Sequence, residues 1–124
     1  MTREAPPVPD ALPAPAIDAH THLDACGAQD AAGVAAVLDR AAAAGIERVV
    51  TVADDLAAAR WAAEAATWDE RVFAAVAIHP TRAHDVDDAT KSEVERLAAA
   101  DRVVAVGETG LDYYWDYATP RGAA

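Results

Sequence analysis

Four residues of this 124-residue chain stand out for the chemistry they could do: His20, His22, His79 and Glu108. His20 and His22 are one residue apart in DAHTHLD (18–24), directly behind the apolar stub Pro15-Ala16-Ile17. In an extended backbone, residues i and i+2 point to the same side, so the two imidazoles would offer nitrogen donors in one direction. A divalent metal ion takes that geometry. Alone, a His-x-His pair is a weak signal, and its weight depends on ligands arriving from elsewhere in the chain. Glu108, in GETG (107–110), is hard to read as a solvated surface charge, because its glycine neighbours let the backbone approach closely. It reads as a ligand. His79, before Pro80, is open between a hydrogen-bonded turn residue and a group that contacts substrate. His84, in TRAHDVDD, reads as exposed, Asp54 and Asp55 as helix caps, and Cys26 as a small buried loop residue.

These residues need elements to position them. Three segments open alike and run into apolar stretches, ERVVTVA (47–53), ERVFAAVAI (70–78) and DRVVAVG (101–107). Such barely alternating, β-branched runs fit strands buried on both faces of a parallel sheet. The stub before His20 makes a fourth strand. Helical patterns lie between them. Asp30 caps a helix with Val34, Val37, Leu38 and Ala41 on one face, ending at Gly45. The second, begun by Asp54 or Asp55, carries Ala57, Trp61, Ala65 and Trp68, whose tryptophans read as core. The third is expected to start on a capping box, Thr90-Lys91-Ser92-Glu93, ahead of Val94, Leu97 and Ala98. Strand–helix repeated three times and then a fourth strand means an α/β fold with a parallel sheet. Each strand is followed by ionisable or metal-binding residues: His20, His22 and Asp24, then Asp54-Asp55, then His79, then Glu108. In (βα)₈ barrels the site lies at the carboxyl ends of the strands.

Composition narrows the function. The net charge is −11, with Lys91 the single lysine, which argues against nucleic-acid binding through net charge. A phosphate-bearing substrate needs a local cation, and a bound metal can be one. One cysteine excludes an internal disulfide and suits a reducing cytoplasm. The amino terminus lacks the apolar run of a signal peptide, and no stretch reaches membrane-spanning length. Residues 1–14 are expected to form a mobile Pro/Ala-rich leader ahead of a domain over 15–124. The aromatic cluster Tyr113-Tyr114-Trp115 with Tyr117 reads either as a stacking surface for bases or, preferred here, as a cover for apolar surface near the barrel mouth.

The segments DAHTHLD, AIHP and VGETGLDYY, in this order and separation, resemble the TatD family of metal-dependent deoxyribonucleases over residues 16–117. The resemblance implies a (βα)₈ TIM barrel, metal ligation by His20, His22 and Glu108, and a catalytic or phosphate-contacting role for His79 beside Glu108. Asp24 and Asp112 match motif positions to which it gives no definite role. It further implies two divalent ions (Zn²⁺, Mn²⁺ or Mg²⁺), DNA as the substrate and no membrane partner. Family members continue with strands supplying two more histidines and an aspartate. A full barrel takes about 250 residues, so the chain is expected to be the first half, three βα units and a fourth strand. A half-barrel alone is expected to be inactive and to self-associate through exposed strand edges. The rival readings are an amidohydrolase acting on C–N bonds, many of which place a lysine where Glu108 stands, and a fragment without activity.

Overall fold

The computed structural model describes residues 4–115. Four parallel strands, β1 (Ala16–Thr21), β2 (Ile46–Val52), β3 (Val72–Ala75) and β4 (Val103–Ala105), form one sheet in the order β1-β2-β3-β4. Three helices connect them, α1 (Ala31–Ala43), α2 (Leu56–Ala65) and α3 (Asp88–Ala98). Sequential order in an all-parallel sheet is how a (βα)₈ barrel begins. β1 is longer than the apolar stub indicated and takes in His20.

Local chemistry sets the helix boundaries. The Asp30 carboxylate accepts the Gly33 N–H at 2.8 Å, and the Asp55 carboxylate accepts that of Ala58 at the same distance. Beyond α1 the chain turns into β2 through Gly45, at φ +93°, a conformation that side chains disfavour. A Cβ there would also meet Leu12 at 3.1 Å, and the Leu12 N–H is bonded to the Ala44 carbonyl. The third cap differs from expectation. Asp87, not Thr90, caps α3, accepting both the N–H and the hydroxyl of Thr90 at 2.7 and 2.8 Å. Asp is the stronger capping residue. Glu93 has no freedom to reach back, because Arg96 and Arg60 hold its carboxylate and bring its pKa down to about 2. A short 3₁₀ helix over Pro80–Asp85, which the sequence pattern did not indicate, follows β3.

The core lies between the sheet and the helices. Val34 and Leu38 of α1, Ala59 and Ala62 of α2 and Leu97 of α3 cluster with Val49, Val72, Ala74 and Val76. The small residues of α2 bring it close to the sheet, and Trp61 and Trp68 pack edge to face at 5.9 Å on the margin of that core. Burial on both faces does not extend to the outer strands. Ile17 of β1 is 54% exposed and Val104 of β4 56%. β2 and β3 have neighbours on both sides, whereas β1 and β4 are edge strands of this sheet.

A candidate metal centre at the strand ends

The DAHTHLD segment is tied down by its least polar member. Leu23 is 1% exposed in the core, and its N–H is bonded to the hydroxyl of the buried Thr51 on β2 at 3.3 Å. That anchor fixes the backbone on which His22 sits. The His22 Nδ1 lies 2.7 Å from the Val52 carbonyl oxygen. A carbonyl can only accept, so Nδ1 carries the proton and Nε2 is left with its lone pair. An orienting bond of this kind is typical of a metal-binding histidine. The ring of His20 stands 5.2 Å from that of His22, at 70° to it.

Glu108 arrives from the other edge of the sheet. The loop after β4 is held by the Gly107 N–H on the Val76 carbonyl at 3.3 Å. Its two carboxylate oxygens are divided: Oε2 is 3.3 Å from His20 Nε2, and Oε1 is 3.3 Å from His79 Nε2. One donor atom from each of His20, His22 and Glu108 lies within 4.8 Å of the others. Two imidazoles and a carboxylate at that spacing could surround a single divalent ion and leave positions for water.

His79 is oriented in the opposite sense to His22. Its Nδ1 accepts the Thr81 N–H at 3.2 Å and lies 2.8 Å from the Thr81 hydroxyl. In the neutral ring Nε2 then bears the proton and faces Glu108 Oε1. His79 is also held through its own N–H, bonded to the Asp54 carbonyl at 2.8 Å. Thr81 and the Val52 carbonyl were not singled out from the sequence. A threonine two residues after a histidine at a helix start is a local signal for the first. A carbonyl on a neighbouring strand leaves none.

The structure thus brings His20, His22, His79 and Glu108 together at the carboxyl ends of three strands. It leaves other candidates outside. Asp24 accepts the N–H of Ala25, and Asp112 accepts those of Tyr114 and Trp115. His84 is exposed and pairs with Asp85 at 3.2 Å. Cys26 is exposed rather than buried, because the turn after β1 puts Leu23 and Ala28 inside instead. Tyr113, Tyr114 and Trp115 are exposed as well, on a turn closed by Asp112, with the rings of Tyr114 and Trp115 edge to face at 4.6 Å. Tyr117 lies outside the described residues.

A sequentially ordered parallel sheet with a His-x-His pair and a carboxylate clustered at its strand ends has the build of a (βα)₈ barrel enzyme, whose site lies at the carboxyl ends of the strands. The chain belongs to the family described as TatD related DNase, whose model matches residues 17–123. It is 66% identical over 99 residues to an uncharacterized metal-dependent hydrolase, TatD of Mycobacterium tuberculosis, the match covering 80% of this chain and 38% of that protein. It is 33% identical over 88 residues to a protein named 3′-5′ ssDNA/RNA exonuclease TatD, from Yersinia pseudotuberculosis, covering 68% and 33%. The crystal structure of YJJV, a TatD homologue from Escherichia coli K12, superposes with a TM-score of 0.67 at 27% identity, covering 81% of this chain and 39% of that one. The chain therefore spans less than two fifths of the length of these relatives. Among the described residues no helix is long and apolar enough to cross a membrane.

Proposed function

We propose that this chain supplies the first part of the metal-binding site of a TatD-type hydrolase that cleaves phosphodiester bonds of nucleic acid with water. The observation that carries the reading is the convergence of His20, His22 and Glu108 donor atoms within 4.8 Å, with His22 Nε2 freed for ligation by the Nδ1 bond to Val52. In this reading His20, His22 and Glu108 hold divalent cations, two in the complete site, from among Zn²⁺, Mn²⁺ and Mg²⁺. Cations held there supply Lewis acidity and make water a nucleophile at neutral pH. His79 Nε2 faces Glu108 Oε1 at 3.3 Å, while Oε2 lies 3.3 Å from His20 Nε2. In this reading His79 is a positioning residue for the carboxylate.

Three side-chain donors cannot fill the coordination shells of two ions, so the complete centre draws further ligands from the segments that the longer relatives possess. The substrate class follows the exonuclease name borne by the Yersinia relative. A cytoplasmic setting goes with this reading, since the exposed thiol of Cys26 persists as a thiol in a reducing compartment. The test is metal stoichiometry and affinity of the purified chain, by calorimetry with Mn²⁺ and Zn²⁺, against His22→Ala and Glu108→Gln. Binding lost in both variants supports the site. Unchanged affinity in both overturns it.

A further inference from the structure

A cleft of about 630 Å³ opens beside the metal-binding cluster, lined by His79, Arg82, Asp54, Asp85 and Trp115 among others. His79 belongs to both: its Nε2 faces Glu108 while its ring lines the cleft, so anything bound there is one side chain from the cluster. Arg82 gives the cleft its chemistry. Among the described arginines, Arg60, Arg71 and Arg96 are tied to carboxylates, and Arg40 and Arg102 to backbone carbonyls. Lys91 pairs with Asp88. Arg48 and Arg82 have no such partner among the described residues. Arg48 sits towards the start of β2, whereas Arg82 follows β3 at the end of the sheet where the cluster lies. In a chain of net charge −11, an arginine left free in a cleft beside a metal site is a specific place for an anion.

We propose that Arg82 binds a phosphodiester of the nucleic-acid strand next to the one cut, and so positions the strand across the cluster. This rests on the nuclease reading above and names a subsite for it. The planar guanidinium matches two phosphate oxygens at once. The carboxylates of Asp54 and Asp85 disfavour a doubly charged free phosphate in the same cleft. A diester carries one charge, flanked by sugar and base, and Trp115, whose ring meets that of Tyr114 edge to face, lines the same cleft as an aromatic surface for a base.

The experiment is fluorescence-anisotropy binding of a single-stranded DNA oligomer to the purified chain in chelator, which separates binding from metal-dependent cleavage. Arg82→Ala is expected to weaken binding about tenfold and to lower the salt dependence of log K by about 0.7, the loss of one phosphate contact on a single strand. Arg82→Lys should lie between the two. Arg48→Ala should match the wild type, and circular dichroism should show all variants folded, since both arginines are exposed. No detectable binding by the wild-type chain, equal binding by Arg82→Ala, or displacement of the DNA by inorganic phosphate at equimolar phosphate groups would each overturn the inference. The reading on which it rests is tested separately, by calorimetry with Mn²⁺ and Zn²⁺, and survives those results if His22→Ala and Glu108→Gln lose metal binding.

Discussion

His22 and His79 show how one residue type takes two roles within one cluster. A carbonyl acceptor at Nδ1 leaves His22 with a free Nε2, whereas an N–H donor at Nδ1 puts the proton of His79 on Nε2. The two histidines should therefore respond differently to substitution. His22→Ala is expected to lower metal affinity at least tenfold, because a ligand and its orienting bond both go. His79→Gln should lower it less, since it removes the imidazole that faces Glu108 Oε1 and no ligand. Calorimetric titration of Mn²⁺ into the two variants checks the order, and a larger loss in His79→Gln would reverse the assignment. Thr81→Val, which keeps the backbone N–H and loses the hydroxyl, should leave metal affinity close to that of the wild type.

At the scale of elements, the site depends on anchors that carry no chemistry. Leu23 fixes the turn after β1 by burial, so Leu23→Ala should cost about 2–5 kcal/mol in urea unfolding. Metal affinity should fall with it, as the His20–His22 spacing loosens. At the turn into β3, Arg71 reaches Asp69 through Nε and Nη2 and Asp39 through Nη1. The hydrogen bonds from Arg71 hold the Asp69 carboxyl below its ordinary value of 3.8. A depressed carboxylate pKa stabilises the fold above the unfolded-state value, and that stability is lost as pH falls through the folded value. Asp69→Asn should therefore cost about 1–2 kcal/mol at neutral pH. The gap from the wild type should close as the pH falls below the usual carboxylate range. A gap that persists undiminished in acid would mean that packing, and not charge, is what the substitution removes.

At the scale of the whole molecule, the sheet formed by the described residues has two edge strands. β1 and β4 both present exposed apolar side chains, Ile17 and Val104. Unpaired strand edges are templates for further pairing. The 124-residue chain is therefore expected to self-associate as concentration rises, and Val104→Lys to reduce the effect, as read by light scattering. On the proposal that the longer relatives supply further ligands, the 124-residue chain should also hydrolyse single-stranded DNA in Mn²⁺ at least a hundredfold more slowly than a full-length relative, since removing members of a catalytic unit removes most of the rate. Comparable turnover, abolished in His22→Ala, would refute that.

The alternation of elements and the identity of the clustered residues were legible in the sequence, whereas the sequential strand order came from the resemblance, since alternation alone also fits a doubly wound sheet. Apolar runs and helical spacing report which faces are buried, and in a parallel β/α chain the strand ends follow directly from where those runs stop. The α3 cap was misplaced by three residues because Asp87 and Thr90 are both good caps, and only the chain's entry angle and the pairing of Glu93 with Arg60 decide between them. Cys26 was misjudged because burial depends on what packs from elsewhere in the fold. The proton positions on His22 and His79 were beyond the sequence for the same reason. One depends on a backbone carbonyl 30 residues away on β2, the other on the path of a 3₁₀ turn. Residue types set which atoms can donate or accept. Which atoms meet is settled by the tertiary structure, because hydrogen-bond geometry is sensitive to tenths of an ångström that no local pattern encodes.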